Sequence, residues 1–288
     1  MSTSVLVTGS HGRTGKPVVK ALADKGADVI AFIRDPAQEG EMKKLGASSV
    51  AVGGMDEPDT IMAAMAGRDA VVHIGPPMHP DERTMTGYFV DAAKKAGVSR
   101  FIYYSVMHPL RREVRHHRLK LDTEEMLIES GMPYTIIQPI RYMQHLEPIW
   151  KRVTGEGIHA MPFNTHLQFN VVDLLDLAEA TAIMTLEDGW LYGTFELAGP
   201  EPLSQSDMAD IISNVIGKPV NAEQVPITAM QEKARGGAVS NDRVKQMTIM
   251  NEHYDAFGFL GNSKILEMVL QRKPTTFQEY VRRLSTQN

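Results

Sequence analysis

The chain has 288 residues, 43% hydrophobic and 23% charged, which is enough apolar material for one large α/β domain or a core domain with a smaller one appended. A formal charge of −5 argues against a nucleic-acid surface, and the lack of cysteine removes disulfides, thiolate metal sites and a cysteine nucleophile. No apolar run approaches the length needed to span a bilayer and no basic-then-apolar leader precedes the first strand, so the expectation is a cytoplasmic protein with no membrane contact.

In chain order, an apolar strand at 4–8 runs straight into Gly9-Ser10-His11-Gly12-Arg13-Thr14-Gly15. Glycines at this spacing let a strand turn sharply, let backbone approach a pyrophosphate without an intervening Cβ, and let the next helix pack closely. A ligand-free tight turn uses glycine in the same way, so context decides. Gly15, Val18, Val19 and Leu22 fall on one face of a helix at 14–25, and a strand at 28–34 completes a βαβ unit. The amides at that helix start then face an anion. The loop is predicted to be a cradle for dinucleotide phosphates.

Further strands are predicted at 49–52, 70–74, 100–104 and 134–139, with helices near 36–45, 57–66, 80–96 and 118–130. Strict alternation of the two implies a parallel sheet covered on both faces. Gly46, Gly67, Gly97 and Gly131 each follow a helical stretch, where a left-handed cap is expected. After Pro139 the rhythm changes: a Gly-, Pro-, His- and Asn-rich stretch at 150–165, a strand at 167–172, a helix at 174–184 and a strand at 194–198. A helix at 204–216 is capped by Ser204 or Ser206, and an amphipathic helix at 276–284 ends the chain. The division this implies is 1–150 and 151–288, with 167–185 and 194–198 returning to the first part. Residues 229–262 lack clean periodicity and read either as a lid over a pocket or as loosely packed peripheral helices. Ten dispersed histidines show no metal-ligand spacing, so no metal is predicted. The basic run Arg111, Arg112, Arg115, His116, His117, Arg118 and Lys120 reads as a solvated loop and helix start.

Several motifs together resemble the NmrA-like family of atypical short-chain dehydrogenases/reductases. They are Thr8-Gly9-x-x-Gly12-x-x-Gly15, Arg34-Asp35-Pro36, Phe101-Ile102-Tyr103-Tyr104-Ser105, and the run from Ser130-Gly131-Met132-Pro133 to Gln138-Pro139. Val172-Asp173-Leu174-Leu175-Asp176 and Gln271-Arg272-Lys273-Pro274 through Tyr280 fit the family's C-terminal part, so the resemblance covers nearly the whole chain. It implies a Rossmann-type doubly wound parallel sheet with a smaller C-terminal α/β substrate-binding region. It also implies cofactor contacts from Thr8, Gly9, Ser10, His11, Gly12, Arg13, Thr14 and Gly15, from Ile74, Gly75 and Pro76 beside the nicotinamide ribose, and from Lys120. The family's aspartate after the third strand is missing, because Gly53-Gly54 stands there, which leaves adenine recognition to other groups such as Met55 and Asp56. Arg34, at the end of the second strand, suits the 2′-phosphate of NADP(H) over the 2′-hydroxyl of NAD(H), and Arg13 could add a second cation. A surface salt bridge to Asp35 or Glu39 is the alternative use of Arg34.

Typical short-chain dehydrogenases carry Ser, then Tyr-x-x-x-Lys. Lys120 matches the lysine and His116 occupies the tyrosine position, while Ser105, at the C-terminal end of the fifth strand, could orient a carbonyl or simply form a turn. One helical turn apart, His116 and Lys120 share a face, although a partly solvated histidine at a helix start needs no function. Tyr104, Met107, His108, Tyr142 and Met143 are the candidate substrate-pocket residues. The expected activity is NADP(H)-dependent reduction of a carbonyl- or quinone-like small molecule. A redox sensor with a regulatory protein partner and a non-redox isomerase or lyase are the rival readings. The expected partners are a small-molecule substrate and, beyond it, either a second copy of the chain or a regulatory protein.

Overall fold

Strands buried on both faces of a parallel sheet read as unbroken apolar runs, and the first half of the chain is built from such runs. β1 (Ser4–Val7) and β2 (Asp28–Ile33) flank α1 (Gly15–Asp24) and pair in parallel, Val5 opposite Val29. The alternation continues through α2 (Glu39–Lys44), β3 (Ser49–Val52), α3 (Pro58–Met65), β4 (Ala70–His73), α4 (Glu82–Ala96), β5 (Arg100–Tyr104), α5 (Arg115–Glu129) and β6 (Tyr134–Pro139). Gly46, Gly67, Gly97 and Gly131 all have positive φ, as a left-handed stop requires. Later in the chain, α7 (Leu174–Leu186) packs on α1, and β10 (Gly193–Leu197) extends the sheet beside β6.

The seven strands run β10-β6-β5-β4-β1-β2-β3, so the winding direction reverses between β1 and β4, the crevice where open α/β sheets bind ligands. The resulting α/β fold is the expected doubly wound sheet. Its core is close-packed around Leu6, Ile30, Val71, Phe101 and Ile136, with Phe32 set edge-on to Phe89 at 5.6 Å.

The computed structural model describes residues 2–228 and 240–287. These fall into two compact units. Unit 1 comprises residues 1–110, 117–139 and 174–196, and unit 2 comprises 111–116, 140–173 and 197–288. After a short passage through unit 2 at 111–116, the chain makes its long departure from unit 1 after Pro139 and not at 150. The strand at 168–172 belongs to unit 2, because its ladder partners lie there, and the return to the large sheet starts at Leu174.

Unit 2 holds β7 (Arg141–Tyr142), α6 (Trp150–Glu156), β8 (Ile158–Met161), β9 (Gln168–Val172), β11 (Pro202–Ser204), α8 (Gln205–Ile216), β12 (Asn221–Gln224), α9 (Asn241–Phe257), α10 (Lys264–Leu270) and α11 (Phe277–Gln287). A three-stranded sheet, β11-β9-β7, and the β8–β12 pair frame an apolar cluster of Trp150, Met208, Ile212, Phe277, Val281 and Leu284. Of the two serines proposed to start α8, Ser204 is the cap, in a reciprocal box with Asp207. Within 229–262, the stretch 229–239 lies outside the described residues, and 241–257 forms α9. No helix among the described residues is long and apolar enough to cross a membrane.

Candidate functional site

The loop between β1 and α1 is held from three sides. The Thr8 hydroxyl, at the end of β1, accepts the Ile74 amide at 3.0 Å and lies 3.0 Å from Nδ1 of His73, which ties the loop to β4. Ser10 donates to the Phe32 carbonyl of β2 at 2.8 Å, and His11 and Lys16 both reach Glu41 of α2 at 2.7 Å. Thr8 and Ser10 are fully buried, so their hydroxyls act as pins for the cradle.

Inside those pins the backbone is too tight for any side chain. A Cβ on Gly9, which sits at φ +60°, would lie 2.7 Å from the Ile74 carbonyl oxygen, and one on Gly15 would lie 2.1 Å from that of Gly9. Thr14 precedes α1 without a side-chain cap, and among the described residues the amides of Arg13 and Thr14 make no hydrogen bond. Uncapped amides at a helix N-terminus attract an anion. Arg13, in the same loop, and Arg34, one residue past β2, are both exposed. Arg34 follows β2, and its two nearby carboxylates are engaged elsewhere: Asp35 accepts the Ala37 amide at 2.9 Å and Glu39 pairs with Lys43 at 2.7 Å. Neither Arg34 nor Arg13 has an ion-pair partner among the described residues.

At the β4 side, His73 is completely buried between two hydroxyls, with Nε2 3.0 Å from Thr86. Burial, aided by the charge on Lys120, pushes its pKa down to about 3. The neutral ring serves both threonines, accepting at one nitrogen and donating at the other. Because the folded value lies below the unfolded value of about 6.5, the unfolded chain takes up the proton first as pH falls. The stabilisation is therefore complete above about pH 6.5 and declines toward pH 3. From pH 7 to pH 5 the expected loss is about 2 kcal/mol, measured by denaturant unfolding at the two pH values. In His73→Gln that difference shrinks, and an unchanged difference would refute the assignment.

A second buried group surrounds Lys120 on α5. Its Nζ lies 2.5 Å from Oε1 of Glu82, donates to the Tyr104 carbonyl at 2.7 Å, and sits 4.9 Å from the centre of the Tyr103 ring. The Tyr103 hydroxyl donates to the same Glu82 oxygen at 3.0 Å, and burial, then Glu82, raises its pKa well above the usual range. Oε2 of Glu82 is buried with no partner. Gly75 lies against this carboxylate, where a Cβ would come within 2.9 Å of Oε1.

Ser105, at the end of β5, donates its hydroxyl proton to Glu124, which also accepts two bonds from Gln138 at 2.8 and 3.0 Å. Burial pushes the Glu124 carboxyl up, against the pull of Ser105 and Gln138. Glu82, His73, Thr86, Glu124 and Gln138 are the functional candidates that sequence reasoning missed. Of the two adjacent histidines, His117 is the fully buried one, bonded through Nδ1 to the His108 carbonyl at 2.9 Å. His116 is half-buried and falls in unit 2, whereas Lys120 falls in unit 1.

The expected pocket residues are likewise divided. Tyr104 (its hydroxyl bonded to Thr181 of α7), Met107 and His108 belong to unit 1. Tyr142 and Met143 belong to unit 2, where they line a pocket made wholly of unit 2 residues. Among the described residues no His, Asp and Glu side chains cluster as a metal site.

Comparison with known proteins gives a consistent picture. The model of the NmrA-like family matches residues 1–281. An NAD(P)H azoreductase of Xenophilus azovorans is 30% identical over 230 residues, covering 80% of this chain and 79% of that protein. A photosystem II assembly factor of Synechocystis sp. is 23% identical over 246 residues, covering 79% and 72%. Among solved structures, an Escherichia coli NADPH-dependent quinone oxidoreductase complexed with NADPH superposes with a TM-score of 0.85 at 20% identity, covering 98% of this chain and 99% of that one. Citrobacter sp. triphenylmethane reductase complexed with NADP(H) also gives 0.85, at 22% identity, covering 97% and 99%.

Proposed function

The chain belongs to the NmrA-like family, and from that premise we propose that it is a reductase using NADP(H) to reduce a carbonyl- or quinone-like small molecule. The observation that carries this reading is the uncapped start of α1, with the unpaired Arg13 in the same loop and the unpaired Arg34 just past β2, the strand to which Ser10 ties that loop. The amides of Arg13 and Thr14 take the pyrophosphate, and Arg34 takes the ribose 2′-phosphate, with Arg13 beside it. Lys120 has one N–H left after Glu82 and Tyr104, and Glu82 has one oxygen without a partner. Together they supply a donor and an acceptor for the hydroxyls of the nicotinamide ribose. Bound NADPH supplies the hydride. The proton comes from solvent, since the Ser105 proton is committed to Glu124.

The azoreductase relative widens the substrate panel to azo dyes. NADPH consumption followed by absorbance across quinones, aldehydes and azo dyes is expected to reveal at least one substrate, and none across the panel would refute the reading. Arg34→Ala is expected to raise the Kd for NADPH about tenfold or more and to leave that for NADH unchanged. An unchanged NADPH Kd would refute the choice of NADP(H).

A second reading, an NADP(H)-binding regulator acting through a protein partner, draws on histidine at position 116 and on the committed Ser105 proton. It predicts binding of both cofactor forms with no turnover, so substrate-dependent NADPH oxidation decides against it.

A further inference from the structure

Two partly exposed ionisable side chains meet at the carboxyl end of the large sheet, the end at which open α/β sheets bind ligands. His108 follows β5, on a loop tied to β6 by the Met107 amide, which donates to the Pro139 carbonyl at 3.0 Å. Glu196 is the next-to-last residue of β10. That strand starts beside the start of β6, where the Tyr192 amide donates to the Tyr134 carbonyl at 2.6 Å. It ends just past the end of β6, where the Leu197 carbonyl accepts the Ile140 amide at 3.1 Å. His108 and Glu196 both belong to unit 1.

The backbone at His108 is held in an uncommon shape. Its φ is +54°, in the left-handed region that residues other than glycine seldom adopt, and such positions cluster at functional sites. The fully buried His117 of α5 donates from Nδ1 to the His108 carbonyl at 2.9 Å and so fixes the turn. With the turn in place, Nε2 of His108 lies 3.5 Å from Oε1 of Glu196, and Glu196 has no other cationic partner among the described residues. The two side chains keep 33% and 41% of their surface exposed, against 7% for Lys120, so a ligand can reach them. A carboxylate beside an imidazole orients the ring and steadies its protonated form.

We propose that His108 is the acid–base group of the site, the donor that hands a solvent proton to the substrate oxygen, and that Glu196 is its positioning residue. The inference rests on the reductase reading and gives it the proton route that Ser105, committed to Glu124, does not. As hydride reaches the carbonyl carbon, the C=O electron pair moves onto oxygen, and that oxygen takes a proton from the His108 imidazolium. The ring is left neutral and recovers its proton from solvent. Imidazole suits the task because it gains and loses a proton near neutral pH. The same ring recognises an acidic hydroxyl in the absence of any hydride transfer, so a phenol is the ligand class that reports on it.

Two measurements test this. The whole protein, with and without NADP+, is titrated calorimetrically with 4-nitrophenol and with 4-nitroanisole, a methyl ether of similar shape that has no acidic proton. The phenol is expected to bind about tenfold or more tightly than the ether. His108→Asn, which tolerates a left-handed backbone and cannot pass on a proton, should erase the difference. On a substrate that the wild type reduces, His108→Asn is expected to lower kcat about a hundredfold or more and Glu196→Gln about tenfold, each with the NADPH Kd unchanged. Equal binding of phenol and ether, no binding of the phenol at millimolar concentration, discrimination that survives in His108→Asn, or an unchanged kcat in that variant would each overturn the proposal. Absence of turnover across the substrate panel refutes the reductase reading, and the phenol titration still decides whether His108 is an acid–base group. The wild-type comparison of phenol with ether holds even if His108→Asn fails to fold.

Discussion

Replacing Lys120 with methionine is expected to destabilise the protein by about 3–5 kcal/mol, the usual consequence of leaving one member of a buried ion pair without its partner. Glu82 is completely buried, its one bonded oxygen is held by Lys120 and Tyr103, and its other oxygen already lacks a partner. Without the ammonium, the carboxylate must either stay charged in an apolar setting or take up a proton, and each costs free energy. Adding Glu82→Gln to Lys120→Met removes the stranded charge and keeps an acceptor for Tyr103, so the double variant is expected to regain more than half of the loss. Denaturant unfolding of the single and double variants measures this directly. A Lys120→Met loss under about 1 kcal/mol, or a double variant no more stable than the single one, would show that the pair is not the element that matters.

Gly15→Ala is expected to abolish measurable NADPH binding and to destabilise the fold by about 1–3 kcal/mol or more. The added Cβ would stand 2.1 Å from the Gly9 carbonyl oxygen and 2.6 Å from Cα of Ser10, and both of these are backbone atoms. The loop cannot yield without breaking the Gly12-to-Gly9 hydrogen bond of 2.9 Å or the Ser10 bond to Phe32, and any shift moves the amides proposed to take the phosphates. Gly40, inside α2, is the control: nothing lies within 4 Å of its Cβ position. Gly40→Ala is expected to leave NADPH binding intact and to stabilise the helix by about 0.5–1 kcal/mol. Isothermal titration of both variants checks the contrast, and tight NADPH binding by Gly15→Ala would contradict the placement of the cradle.

The first six strands were legible because a doubly covered parallel sheet needs apolar runs, and because the helices between them end on glycines that only a left-handed stop explains. The strands of unit 2 were not. β7 has two residues and β11 three, and β12 is the polar run Asn221-Ala222-Glu223-Gln224, so neither period nor propensity marks them. Their pairing is imposed by the segments they meet, above all β8 and β9. The same limit divides the site. Glycine spacing and the position of Arg34 suggest the proposed cradle within a short stretch of chain, whereas Glu82 reads as an ordinary acidic residue in the first turn of α4. Only tertiary structure places it against Tyr103 and Lys120, which lie on two other elements. Likewise, the adjacent pair His116-His117 carries no local sign of which ring is enclosed.

Unit 1 is assembled from three stretches of chain, the last of them 174–196, with α7 lying on α1 and β10 at the sheet edge. A nascent polypeptide therefore has the glycine loop long before it has the helix that supports α1, and completion of the sheet waits for residue 197 to leave the ribosome. An excised fragment ending at 139 would carry every glycine of the cradle and still expose the flank of α1 that α7 covers. Attempts to express the nucleotide-binding half alone should splice 174–196 back onto it.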